Sequence, residues 1–180
     1  LGSLRSDGNA DNLHVNVAGS VGRLQVEEAT RTHIGAGSVN SIRAVRWMDG
    51  TLTATDVNNL KITGARARTG DMDVDVMINE SGMSVEDEAL GSASIDGVLH
   101  GQWMVGGPAG RVKAGQIMND FAGEFHGEVD MLASDSDFEG HVTAMGFGRI
   151  DIKGRLMDAT IIAGGGPHPA APNTVGSIKV

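Results

Sequence analysis

The apolar residues of this chain fall in short alternating runs, not in helical stripes. Leu13, Val15 and Val17 alternate with His14 and Asn16, and Met72, Val74, Val76 and Ile78 alternate with Asp73, Asp75 and Met77. A period of two is that of an extended strand with one face buried, so the pattern predicts an all-β chain. Many of these runs share one six-residue shape. It is complete in Val21-Gly22-Arg23-Leu24-Gln25-Val26, Val57-Asn58-Asn59-Leu60-Lys61-Ile62, Phe147-Gly148-Arg149-Ile150-Asp151-Ile152 and Val175-Gly176-Ser177-Ile178-Lys179-Val180. Shorter versions stand at Leu1–Leu4, Val39–Ile42, Leu90–Ala93 and Ala109–Val112. The first, fourth and sixth positions are mostly aliphatic. The second is Gly2, Gly22, Asn40, Asn58, Gly91, Gly110, Gly148 and Gly176, in a chain where 27 of 180 residues are Gly and nine are Asn. Gly and Asn share a tolerance of positive φ, so the reading predicts a left-handed corner at this position in each repeat.

The second positions follow one another at intervals of 20, 18, 18, 33, 19, 38 and 28 residues. A period near 20 is the signature of stacked supersecondary units, and strand, corner and strand in 18–20 residues match one coil of a parallel β-solenoid. The interval of 38 reads as two coils, and that of 33 as an ordinary coil with a short one. The expectation is one continuous single-stranded parallel β-helix over residues 1–180, of roughly nine coils. At ~4.8 Å per coil that is a rod roughly 40–45 Å long. Irregular or looped coils are expected at 71–89 and 163–174, the latter holding three of the four prolines. Leu24, Ile42, Leu60, Val112 and Ile150 are expected inside the coil, in one or two stacked columns. The chain starts and finishes inside a repeat. The expected partners are therefore neighbouring coils of a longer array, or other copies stacked head to tail.

Composition narrows the chemistry. There is no Cys, which excludes disulfides, thiolate-bound zinc and thiol nucleophiles. The net charge is −9 with no basic block, a poor footprint for nucleic acid. No run of ~18 apolar residues would make a membrane-spanning helix. Asp71, Asp73 and Asp75 share one face of an extended strand, and oxygen-rich clusters can hold calcium. Spaced about 7 Å apart along the strand, they read as a solvated face. Asp135, Asp137 and Glu139 form a second acidic group. Paired carboxylates of this kind serve polysaccharide-processing enzymes, but with no Tyr and only Trp47 and Trp103, a sugar-stacking platform is hard to build, and a turn is the expectation. His100, His126 and His141 each adjoin a glycine, yet their spacings of 26 and 15 do not fit a coil period. No Gly-x-Ser-x-Gly elbow occurs. No catalytic, cofactor-binding or metal-binding residue is therefore assigned, and no enzymatic activity is expected.

The fifth position carries a further signal. It reads Arg5, Gln25, Arg43, Lys61, Ser94, Lys113, Asp151 and Lys179, five of the eight basic in an acidic chain. In a solenoid these would form one outward column, where like charges repel. Either acids on adjoining columns compensate, or an anionic partner such as a glycan lies there, or the row only solubilises the surface. The Gly-Ser-Ile-Lys-Val strand, with Asp158–Gly166 before a loop, resembles the repeat regions of bacterial extracellular parallel β-helix proteins of the autotransporter-passenger and filamentous-adhesin type. The resemblance implies a rod, stalk, fibre or surface-layer element at the cell surface, with an adhesin for anionic glycans or a polysaccharide lyase or hydrolase on the same fold as the alternatives.

Overall fold

A computed structural model describes residues 1–65, 69–79, 88–164 and 175–180. The described residues are all-β, with no helix, and their strands stack in parallel as a β-solenoid. One ladder is built from β1 (Ser3–Arg5), β4 (Arg23–Gln25), β6 (Ser38–Ala44), β8 (Asp56–Ile62), the first half of β10 (Leu90–His100), β12 (Ala109–Ile117), β14 (Glu128–Ser134), β16 (Gly146–Ile152) and β18 (Val175–Lys179). The other contains β2 (Ala10–Asp11), β3 (His14–Val17), β5 (Glu28–Ala36), β7 (Arg46–Ala54), β9 (Met72–Ile78), the end of β10, β11 (Gln102–Val105), β13 (Ala122–Phe125), β15 (His141–Ala144) and β17 (Thr160–Ala163). The first ladder has nine rungs and the second eight. The chain therefore makes about eight turns, one fewer than the nine coils expected, and spans roughly 40 Å at ~4.8 Å per rung.

The expected inner column exists in register. Leu4, Leu24, Ile42, Leu60, Ala93, Val112, Leu132, Ile150 and Ile178 stand one above another, and the five predicted members, Leu24, Ile42, Leu60, Val112 and Ile150, are all buried. The first and sixth positions form flanking inner columns, Val39–Val57–Leu90–Ala109 and Ala44–Ile62–Ile95–Ala114. Ser134 is the polar member of the sixth column, and its hydroxyl donates to the carbonyl of Asp137 at 3.1 Å. On the second ladder Val15, Ile34, Leu52, Val76, Trp103, Gly123, Val142 and Ile161 are stacked. The largest side chain in that column sits beside the position with none. A Cβ on Gly123 would come within 2.9 Å of the Phe125 ring, and Trp103 meets Phe121 edge to face at 5.6 Å.

The second position behaves differently from the expectation. None of Gly22, Gly91, Gly110, Gly148, Gly176, Asn40 or Asn58 has positive φ. What restricts the residue is the coil beneath. A Cβ on Gly22 would lie 2.3 Å from the Gly2 carbonyl oxygen, and one on Gly110 would lie 2.4 Å from that of Gly91. In the coils that carry glycine, its missing Cβ is what lets the two backbones approach this closely. The coils with Asn40 and Asn58 accommodate a Cβ, and there Asn58 Nδ2 donates to Asn40 Oδ1 at 3.0 Å, one rung below. The interval of 38 residues is two coils as expected, and Asp130 fills the position between Gly110 and Gly148. The interval of 33 is a single coil, since β8 pairs directly with β10.

The left-handed corners lie elsewhere, within the second ladder. Asn12, Arg31 and Asp49, with φ of 55°, 48° and 59°, occupy equivalent places in three successive coils, and Gly101 (94°) and Asp158 (49°) turn later ones. Each separates a short segment such as Ala29–Thr30 or Leu99–His100 from the longer strand that follows. Of the irregular or looped coils expected at 71–89 and 163–174, residues 80–87 and 165–174 lie outside the described residues, and Met72–Ile78 is the regular strand β9.

Candidate functional site: the outward columns of the coil

Alternation within each rung sends the third and fifth positions of the first ladder outward. The fifth column runs Arg5, Gln25, Arg43, Lys61, Ser94, Lys113, Ala133, Asp151, Lys179; Ala133 is a member that the sequence spacing did not reveal. Beside it the third column contributes Arg23, Arg111 and Arg149. Together these two columns hold Arg5, Arg23, Arg43, Lys61, Arg111, Lys113, Arg149 and Lys179, eight of the 14 Lys and Arg of the chain. Compensation is uneven. Arg5 pairs with Asp7 at 2.7 Å and Arg149 with Asp151 at 2.6 Å, while Arg23 donates to the neutral Gln25 at 2.8 Å and, among the described residues, makes no ion pair. Among the described residues Arg43, Lys61 and Arg111 make no ion pair.

Two members of each predicted acidic group, Asp71 and Asp75 in the first and Asp135 and Asp137 in the second, are committed to local structure, while Glu139 is tied in through its backbone N–H to the Ile117 carbonyl. Asp71 precedes β9 instead of sharing its outer face. Its Oδ1 accepts from the Val98 N–H at 3.0 Å, its Oδ2 accepts from the Thr69 hydroxyl at 2.5 Å, and Arg46 lies 3.7 Å away. Asp75 accepts from the Gln102 N–H at 2.9 Å, in the next coil, and Asp73 stands beside Met48 and His100. The second group forms a staple between coils. Lys113 and Lys153 both donate to Asp135, at 2.5 and 2.6 Å, and Arg155 holds Asp137 through its guanidinium at 2.8 Å and its backbone N–H at 2.9 Å. Those hydrogen bonds favour the ionised carboxylates and hold Asp135 and Asp137 below the usual aspartate range. Burial pushes Asp56 the other way, upward. Among the described residues no three His, Asp or Glu side chains come together in a cluster able to hold a metal ion.

The three expected histidines stay apart, as their spacings implied. His100 Nδ1 lies 2.7 Å from Asp120, His126 Nε2 lies 2.8 Å from Glu124, and His141 stacks over Ala122. Among the described residues, the histidines that meet are His14 and His33, in register on β3 and β5, with ring centroids 4.8 Å apart and planes at 22°. Their separation of 19 residues is one coil, so the period itself carried the signal. His33 Nδ1 in turn lies 3.0 Å from the Thr51 hydroxyl. On the same outer side a shallow depression of about 540 Å³ is bordered by Thr51, Asp75, Met104, Glu124 and His141. Trp47 and Trp103 are both buried, Trp103 beneath the floor of this depression. Compared with protein-family models, curated proteins and solved structures, the chain matches none.

Proposed function

We propose that this chain is a non-enzymatic structural element, a rigid rod of stacked β coils belonging to a bacterial cell-surface or secreted protein. The observation that carries the reading is the unbroken register of the inner column from Leu4 to Ile178 through all nine rungs of the first ladder. Such a ladder gives extension along one axis and a repeating outer surface, which is what a stalk, fibre or surface layer uses. The acidic groups support the non-enzymatic part, because Asp71, Asp75, Asp135 and Asp137 are already occupied by backbone donors or cations. The extracellular setting rests on the resemblance described above. Further coils, in the same chain or in a second copy, would stack on the terminal rungs, where Leu1, Ile178 and Val180 are exposed.

The test uses antibodies raised against the purified protein and applied to intact cells of the source organism. Surface labelling that disappears on mild protease treatment is the expected result. Labelling only after lysis would overturn the extracellular part. Turnover of a polysaccharide by the purified protein, lost in Asp75→Asn, would overturn the non-enzymatic part.

A further inference from the structure

We propose that the outer side of the first ladder is a binding surface for a linear anionic polysaccharide, laid along the solenoid axis over its first four rungs. Each of these rungs carries one cation; Arg5 is already paired with Asp7, while among the described residues Arg43 and Lys61 have no internal counter-charge. Arg5 stands on β1, Arg23 on β4, Arg43 on β6 and Lys61 on β8, with Arg23 displaced sideways into the third column. The charges therefore advance by one rung, ~4.8 Å, at a time, a step comparable to one sugar unit of an extended chain. A polymer with one negative charge per sugar can meet them in sequence.

The chain's own treatment of its cations points to an external anion. Arg43 and Lys61 are in register on adjacent rungs and exposed, and among the described residues neither has an ion-pair partner. Two like charges at that distance repel by about 1 kcal/mol even in bulk water. Elsewhere the same protein neutralises neighbouring cations internally, as Asp135 does between Lys113 and Lys153. With acids outnumbering bases to a net charge of −9, counter-charges were plentiful in composition, yet none stands at the outward second, third or fifth positions of these four rungs.

The remaining groups suit a hydroxyl-rich ligand. Asn40, Ser41, Asn58 and Asn59 lie between and beside the cations, and Asn40 and Asn58 already form a hydrogen-bonded step parallel to the axis. No aromatic residue occupies those outward positions, so the surface lacks the stacking platforms on which single-stranded nucleic acid binds. A DNA duplex presents phosphates on a winding path, which a straight row of charges meets over only part of each turn.

The experiment measures calorimetric binding of the full chain to polygalacturonate oligomers, which carry one carboxylate per sugar. Their methyl esters and a DNA duplex of equal total charge are titrated alongside. Binding to the acid form that weakens linearly with the logarithm of salt concentration, and is lost with the ester, is expected. The double variant R43Q/K61Q should bind about tenfold or more weakly, with the salt slope reduced by about two, by analogy with phosphate contacts. The control T30E/T53E makes the same change of net charge on the outward side of the second ladder and should bind as the parent does. Thermal melting checks that both fold, and Arg23→Gln provides a milder single change with the same expected direction. The proposal is overturned if R43Q/K61Q and Arg23→Gln bind like the parent. It is also overturned if T30E/T53E weakens binding equally, if the ester binds as well as the acid, or if the duplex binds as tightly as the oligomer.

Discussion

Gly110→Ala tests why glycine occupies the second position. Gly110 is buried, and its φ is not in the left-handed region. An added Cβ would meet the Gly91 carbonyl oxygen at 2.4 Å, about 1 Å inside ordinary van der Waals contact. The obstacle is backbone, so rotation of a side chain cannot relieve it. To make room, two rungs must part locally, weakening the hydrogen bonds that flank the site. Overpacking of this kind costs about 1–3 kcal/mol, and a carbonyl left without its donor adds about 1–3 kcal/mol. A loss of about 2–6 kcal/mol is expected, read as a lower urea midpoint by circular dichroism. Asn58→Ala is the comparison. That position already accommodates a Cβ, and only the exposed bond to Asn40 is removed, so the loss should stay below about 1 kcal/mol. A Gly110→Ala protein that unfolds at the parent's midpoint would refute the close-approach argument. Equal losses in the two variants would return the explanation to backbone conformation.

Three further outcomes follow from the same geometry. Leu60→Ala should cost about 2–5 kcal/mol, because the space between Ile42 and Ala93 cannot collapse without breaking the column, and Leu60→Asp should prevent cooperative unfolding altogether; parent-like melting of Leu60→Asp would show that the column is not the core. Arg31→Gly should leave stability unchanged or raise it by up to about 1 kcal/mol, since relief of left-handed strain outweighs both glycine's entropy and an exposed pair with Asp11; a clear loss in thermal melting would mean that the ion pair holds the corner. Asp135 and Asp137 have depressed values in the folded state, so their stabilisation is complete above the unfolded value of about 3.9 and fades as pH falls through the folded values below it. Asp135→Asn should therefore flatten the acid limb of a stability–pH profile below about pH 4, and an unchanged limb would remove the staple from the account.

The inner column was legible because it depends on side-chain type alone. Leu24, Ile42 and Leu60 repeat at 18 residues with polar neighbours, and stacking one coil per repeat buries them in a single column. The role of Gly22 or Gly110 was not legible in the same way. Glycine is chosen both for positive φ and for the absence of a Cβ, and a sequence shows only the choice. The true corners were hidden for the opposite reason. Asn12 and Asp49 are ordinary left-handed residues, but Arg31 between them is not, so the column broke where the pattern was sought. Asp130 and Ala133 escaped because the coil that contains them departs from Gly/Asn and from basic residues at the marker positions. The His14–His33 stack could have been found from its spacing of 19, whereas the pairing of Asp135 with two lysines required knowing which turns lie side by side.

A chain of near-identical repeats has a folding problem that a globular sequence does not have. Displaced by one whole repeat, most rungs would still match aliphatic to aliphatic, and a misthreaded copy would look almost correct to its own backbone. The neighbouring Trp103 and Gly123 supply the missing frame of reference. Moved one repeat along, the indole would face Val142, and the space beside Phe121 and Phe125 would hold no ring to fill it. One oversized residue beside one empty position thus acts as an alignment key, giving a periodic structure a single starting point from which every other coil is counted.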